Sequence, residues 1–313
     1  VDPEDGHMYF QLTREGRPLN KHPDRYSESF ACIANAAYYQ ATQEQIYADR
    51  AQELFETFWT HWQNSISPTD PSRQGDVDHE RKFGSSMIAI NMAQVCRNSG
   101  IAGDWDTHID TSVADIRNHF VHSDIACVME TVAMDGTRLD HLKGRTLNPG
   151  HAIEAAWFIL EEAKYRNQDK ELIQLGTQML DWMWKRGWDT KHGGILYYIE
   201  VDGKPLEESL SDMKFWWPQN ETIIATLLAY LLTGEDRYAI MHQQVHDYAH
   251  THFPDSKYGE WYSYLNKDGS VAVPMKESVW KGPFHLPRMQ LKCWKLCDEA
   301  LSNSTPPAKA IDL

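Results

Sequence analysis

The sequence predicts an all-α protein assembled from repeated helical hairpins, with short β-hairpins inserted between them. Three observations carry that prediction: nine stretches with apolar residues at three- and four-residue spacing, a recurring aromatic or β-branched stretch ending in an acidic-Gly turn, and a regular interval between those turns. The nine helical stretches run roughly over 27–41, 43–66, 83–99, 103–120, 148–167, 169–187, 214–233, 236–253 and 284–302. The interleaved theme reads MYFQLTREGRPL, IACVMETVAMDGTRL, ILYYIEVDGKPL and WYSYLNKDGSVAV, each a short β-hairpin by its turn chemistry.

The turn glycines are Gly16, Gly136, Gly203 and Gly269, at intervals of 120, 67 and 66 residues, and 120 is close to two repeats. The skipped position falls near SPTDPSRQGDVDHE (67–80), a polar loop without an evident hairpin. The building unit is therefore a helix pair plus an inserted hairpin. Such units stack as an open solenoid or close into a ring, and the period alone does not choose between them. A ring suits the chemistry below, because the loops of every repeat then converge on one cavity. The expectation is a single catalytic domain over 1–313, an (α/α)6 barrel of helical hairpins that lacks about three of its twelve helices at the start.

Composition narrows the function. Twelve Trp and fourteen Tyr accompany a hydrophobic fraction of 42%. Most of them fill a large helical core, but aromatic faces also pack on the C–H faces of sugars. A net charge of −15 disfavours nucleic acid and anionic membrane, both of which call for clustered Lys and Arg. No apolar run approaches the roughly 20 residues of a membrane span. Five cysteines, an odd number without CxxC spacing, fit reduced thiols in a cytoplasm.

Four segments could carry chemistry. In LNPGHAIEAAWFIL (147–160), Asn148-Pro149-Gly150 can start a helix that sets His151 and Glu154 three residues apart on one face. There Glu154 would orient His151, or would simply serve the helix dipole. In KESVWKGPFHLPR (276–288), Trp280, Lys281, His285 and Arg288 crowd before one helix and would all need buried partners. A functional His285 accounts for that composition better than a capping histidine. In DMKFWWPQNETIIATLLAY (212–230), Trp217 precedes a helix-opening Pro218, and Gln219, Asn220 and Glu221 are expected near the mouth of a cavity. For Glu221, a favourable first-turn charge is an equal reading. In DRYSESFACIANAAYYQAT (24–42), Tyr26 and Glu28 open a helix in the same way. No GxxxxGK[ST], GxSxG, HExxH or CxxC pattern occurs, so serine nucleophiles, P-loop chemistry and the usual zinc sites lack sequence support.

At these segments the sequence resembles the N-acylglucosamine 2-epimerase family, whose vertebrate members are also called renin-binding proteins. The likeness runs from LTREGRPL to FHLPR through NPGHAIEAAWF, GWDTKHGGILYY, KFWWPQNE and YGEWYSYL. It implies an (α/α)6 barrel, no metal requirement, frequent homodimers and, in some members, activation by a nucleotide such as ATP. By the same resemblance His151 and His285 are the proton-transfer pair, Arg145 matches a basic sugar-binding position, and Tyr26 and Trp280 match positions of the related cellobiose epimerases. There are departures. Gln219 stands where vertebrate members carry His. FGSSMIAINMAQ lacks a histidine found in cellobiose epimerases and aldose–ketose isomerases, which tilts the expectation towards acylamino sugars. A substrate-binding Arg of the family's first inner helix has no counterpart here.

The expected reaction interconverts N-acyl-D-glucosamine and N-acyl-D-mannosamine. The C2 proton becomes acidic once the ring opens, and inversion through an enediol(ate) requires removal on one face and return on the other, which two near-neutral imidazoles can supply. Arg145 with Gln219 or Glu221 would bind oxygens, and Tyr26, Trp217, Trp280 and Arg145 would line one pocket with both histidines. Competing readings are a neutral-sugar epimerase or isomerase, an inverting glycosidase using two of Glu28, Glu154 and Glu221, and a non-catalytic binding partner.

Overall fold

The computed structural model describes residues 1–21, 24–66, 80–206 and 210–304, and among these it holds ten α-helices with several two- and three-residue strands. The helices are α1 (Tyr26–Thr42), α2 (Gln45–Ser65), α3 (Phe83–Asn98), α4 (Trp105–Asp115), α5 (Leu142–Arg145), α6 (Pro149–Tyr165), α7 (Lys170–Gly187), α8 (Trp216–Thr233), α9 (Asp236–His252) and α10 (His285–Ser304). Nine of them fall on the nine expected stretches. The tenth, α5, is a single turn. The stretch expected to run to residue 120 leaves α4 and continues as a five-residue π-helix, Ile116–Phe120, ending on Phe120, which packs edge-on against Phe83 with centroids 5.4 Å apart. No helix among the described residues is long and apolar enough to cross a membrane.

The chain divides into two compact units, Val1–Asp124 with Met129–Arg145, and Ile125–Val128 with Thr146–Leu313. In the first, α1 packs on α2 and α3, and α3 packs on α4. Strand Gln11–Leu12 pairs antiparallel with Pro18–Asn20. The turn between them needs Gly16 at φ 83°, a left-handed conformation costly for other residues. In the second unit α6 packs on α7 and α8, and α8 also packs on α9 and α10. Helices α6 and α8 are apolar on nearly every side and buried over most of their length, whereas α7 buries one face through Leu172, Leu175, Met179, Leu180 and Met183.

Two of the four expected hairpins close locally, around Gly16 and Gly269. The other two do not. Strand Thr131–Ala133, before Gly136, pairs with Glu80–Lys82, and strand Ile199–Glu200, before Gly203, pairs with Thr146–Leu147. Each glycine still makes a tight turn, with Gly136 N–H donating to Ala133 O at 2.9 Å and Gly203 N–H to Glu200 O at 3.1 Å. The ladder partner is simply supplied from elsewhere in the chain. Apart from Glu80, the expected loop at 67–80 lies outside the described residues.

These ladders fix where two buried helices start. Thr146–Leu147 runs into Asn148, whose side chain accepts the His151 N–H and caps α6. Lys214–Phe215, paired with Tyr264–Leu265, runs directly into Trp216 at the start of α8.

Candidate active site

The first two turns of α6, α8 and α10 carry the chemistry-bearing side chains of the second unit. His151 lies in the first turn of α6, with Asn148 Oδ1 3.1 Å from its backbone N–H and Pro149 just inside the helix start. Trp217 lies in the first turn of α8 and His285 opens α10. The Trp217 ring centroid is 5.1 Å from that of His151 and 5.6 Å from that of His285, each tilted by 33°. Both imidazoles thus lie against one indole and are no further apart than the sum of these distances.

His285 is held by a buried carboxylate. Its Nδ1 is 2.7 Å from Glu221 Oε1. Because an ionised carboxylate only accepts hydrogen bonds, Nδ1 carries the hydrogen and Nε2 carries the lone pair. Glu221 is wholly buried, and its other oxygen accepts the Trp157 indole N–H at 2.8 Å and lies 2.8 Å from Arg288 Nη2. Burial alone would raise this carboxyl, but the Arg288 guanidinium and the His285 N–H override it and hold Glu221 at about 2. The same Arg288 nitrogen bonds Glu154 Oε1, while the guanidinium lies over Phe284, 4.4 Å from its ring centroid, and over Trp157 at 5.1 Å.

Glu154 was expected beside His151, on spacing alone. The structure turns its carboxylate to Arg288, which brings a counter-charge to an otherwise buried anion. One donor atom each from Glu154, Glu221 and His285 lie within 4.8 Å of one another, which also resembles a metal-ligand set. Arg288 already supplies positive charge to both carboxylates there, so the group is coherent without a cation. An inverting glycosidase built on Glu154 and Glu221 does not fit. Glu154 and Glu221 share one guanidinium instead of standing the ~6.5–9.5 Å apart that an attacking water requires, and Glu221 is held ionised and cannot act as the acid.

The polar trio expected near a cavity mouth is buried throughout, each residue with a different task. Gln219 is a correction to the expected sugar contacts: its amide oxygen accepts the Ile195 N–H at 2.8 Å, and its amide nitrogen donates to Ile195 O at 2.9 Å and Phe215 O at 3.1 Å. With both donor hydrogens used on backbone, it clamps the chain before α8. Asn220 donates to Trp216 O at 2.8 Å and accepts the Leu286 N–H at 3.2 Å, tying α8 to the first turn of α10. Glu221, expected to bind sugar oxygens, has both of its own oxygens engaged by protein groups. Trp280, expected in the pocket lining, is 61% exposed. Lys281 is buried and bonds Glu260 Oε2 at 2.6 Å and Lys276 O at 2.7 Å.

Tyr26 and Arg145 belong to the first unit. Tyr26 opens α1, its hydroxyl so close to Gly84 that a Cβ there would lie 2.5 Å from the oxygen. Arg145 closes α5, with Nη1 2.7 Å from Asp140 Oδ1. Arg288 and Trp157 were not among the expected site residues. The signal for Arg288 was its place in the crowded entry to the last helix, where it would need a buried partner; nothing marked Trp157.

Residues 1–285 match the profile of a family described as N-acylglucosamine 2-epimerase (GlcNAc 2-epimerase). The chain belongs to this family. Its named members are carbohydrate epimerases, a class of isomerase. The chain is 34% identical to the N-acylglucosamine 2-epimerase of Bos taurus over 301 residues, covering 94% of this chain and 69% of that protein. It is 32% identical to that of Homo sapiens over 302 residues, covering 95% and 70%. Among solved structures, the cellobiose 2-epimerase of Spirochaeta thermophila superposes with a TM-score of 0.77 at 20% identity, covering 96% of this chain and 77% of that one. That likeness shows the fold, an (α/α)6 barrel, which the period of the hairpins alone did not separate from an open solenoid.

Within this family member, Gly150 of α6 lies directly against Trp217 and Pro218 of α8. A Cβ on it would come within 2.6 Å of the Trp217 ring. Gly150→Ala is therefore expected to displace the indole that borders both imidazoles and to cost about 1–3 kcal/mol in overpacking. Activity should fall by tenfold or more, beyond what the lost stability accounts for at a temperature where the variant is folded. A variant with unaltered turnover would show that the Trp217 position is not critical.

Proposed function

We propose that this chain interconverts N-acyl-D-glucosamine and N-acyl-D-mannosamine, one of His151 and His285 removing the C2 proton of the open-chain sugar and the other supplying a proton to the opposite face. The observation that carries the reading is two imidazoles against one indole, one of them fixed by Glu221 with its Nε2 lone pair available. Once the ring opens, C1 is a carbonyl and the C2–H bond can break towards a base. One histidine takes that proton from one face, the C2–H electron pair forms the C1–C2 double bond, and the carbonyl oxygen becomes enediolate. The other histidine, protonated at the outset, then delivers its own proton to C2 from the opposite face, the C1 carbonyl re-forms, and the sugar is inverted with no net change of atoms, while proton exchange with solvent returns the two histidines to their starting states. Glu221 orients His285 and stabilises its imidazolium form while the proton is held. Arg288 keeps Glu221 ionised for that task. Trp217 belongs to the reading as an apolar face for C–H groups of the sugar.

The acylamino substrate is supported by the 34% and 32% identity to N-acylglucosamine 2-epimerases, against 22% to the cellobiose 2-epimerase of Dictyoglomus turgidum. Incubation with N-acetylmannosamine in D2O, followed by NMR, tests the reading. N-acetylglucosamine carrying deuterium at C2 is the expected product. Conversion of cellobiose or mannose with no reaction of the acetamido sugar would overturn the substrate, and a ketose product would overturn epimerisation.

A further inference from the structure

Helix α9 carries four histidines, at 242, 246, 250 and 252, and three of them repeat at a spacing of four residues. Residues so spaced share one face of a helix, one turn apart. The His246 and His250 rings stack with centroids 4.0 Å apart and 24° between planes, and His242 continues the row 5.9 Å from His246. Each ring also has its Nδ1 side occupied. His250 Nδ1 is 2.9 Å from the His246 carbonyl oxygen, which can only accept, so this nitrogen bears the hydrogen. His246 Nδ1 faces Asp247 Oδ1 at 3.6 Å, and His242 Nδ1 is 3.1 Å from Ile223 O and 3.2 Å from Thr226 Oγ1. A metal-bound histidine is held in this way, with the second nitrogen bonded to a carbonyl or carboxylate and the first left for the ion.

We propose that His246 and His250 form a chelating site on α9 for one divalent transition-metal ion, bound through both Nε2 atoms with water completing its coordination. Imidazole pairs suit Zn²⁺, Ni²⁺ and Cu²⁺ and discriminate against Mg²⁺ and Ca²⁺, which take oxygen ligands. His246 has 45% of its side chain exposed and His250 is exposed, so an ion reaches the pair from solvent. The chain's charge of −15 adds a general attraction for cations. His242, half-buried against α8 and bonded to its backbone, lies at the inner end of the row and supports it without being required as a ligand. An ion there would clip the last turns of α9 and add positive charge near its carbonyl end, both of which stabilise a helix.

The test uses the whole protein with Cu²⁺–iminodiacetate, a probe that leaves open positions for a chelating histidine pair. Electron spin-echo spectroscopy is expected to show two equatorial imidazoles on one bound Cu²⁺, and Zn²⁺ titration to raise the unfolding temperature. His246→Ala and His250→Ala, both at accessible positions, should keep the circular dichroism and weaken binding at least about tenfold each, because a chelate loses its intramolecular second contact. A single imidazole in the unsubstituted protein would overturn the site. So would undiminished affinity in either variant, which would assign the ion to another of the fifteen histidines.

Discussion

His285→Asn and His151→Asn are each expected to lower kcat/KM for N-acetylmannosamine epimerisation by ~10²–10⁴-fold, the usual contribution of a general acid–base group. Asparagine offers no base at either position, and at His285 its amide can reproduce the Nδ1–H donor. At His285 the amide can still donate to Glu221 Oε1, so the buried carboxylate keeps a partner and folding should survive. The two variants are also expected to differ in isotope exchange. With one base removed, the remaining histidine still takes and returns the C2 proton on its own face, so in D2O each variant washes deuterium into one epimer without inverting it. Opposite epimers should be labelled by the two variants. Near-normal epimerisation by either one, or loss of exchange into both epimers in both variants, would defeat the two-histidine mechanism. Glu221→Gln separates orientation from chemistry. It removes the negative charge beside His285 and leaves the proton-carrying ring in place, so turnover should drop while the pattern of exchange is retained.

The helices were readable in the sequence because their signal is local. A 3.6-residue apolar rhythm depends only on near neighbours, and Asn148-Pro149 and the acidic-Gly turns mark boundaries through backbone preferences of single residues. Strand pairing at Thr131–Ala133 and Ile199–Glu200 was not readable, since their partners lie about fifty residues away across helices. The same distinction divides the site. His151 and His285 stand out in dense motifs, but what each nearby acid does depends on distant partners. Spacing put Glu154 beside His151, and only tertiary structure reveals the stronger demand of Arg288, 134 residues on. Gln219 looks like a ligand-binding amide in sequence. A buried backbone stretch at Ile195 needing both a donor and an acceptor leaves no trace in residue identity. Buried polar side chains are therefore where sequence reading is least specific, because polarity announces a partner without saying which one.

Arg288→Met is expected to destabilise the fold by about 3–5 kcal/mol at neutral pH, since it strands carboxylates in a buried site without their counter-charge. Methionine fills comparable volume over Phe284 and Trp157, so the loss reports charge more than packing. The pH dependence distinguishes this cause from a cavity. In the unsubstituted protein, Glu221 is held at about 2, below the ordinary 4.5 for Glu, so its contribution is fully present above that ordinary value and is lost as pH falls towards about 2. Without the guanidinium, desolvation is left as the largest influence and pushes the carboxyl up. The folded variant then binds more protons than its unfolded chain, and its stability falls as pH rises through that range. Denaturant unfolding at pH 7 and near pH 4 should therefore show a wide gap between the two proteins at pH 7 that narrows in acid. Arg288→Lys keeps a positive charge but lacks the planar fork, and should recover part of the stability with the normal direction of pH dependence. A gap of the same size at both pH values, or no loss at pH 7, would mean that Arg288 is not what holds Glu221 ionised beside His285.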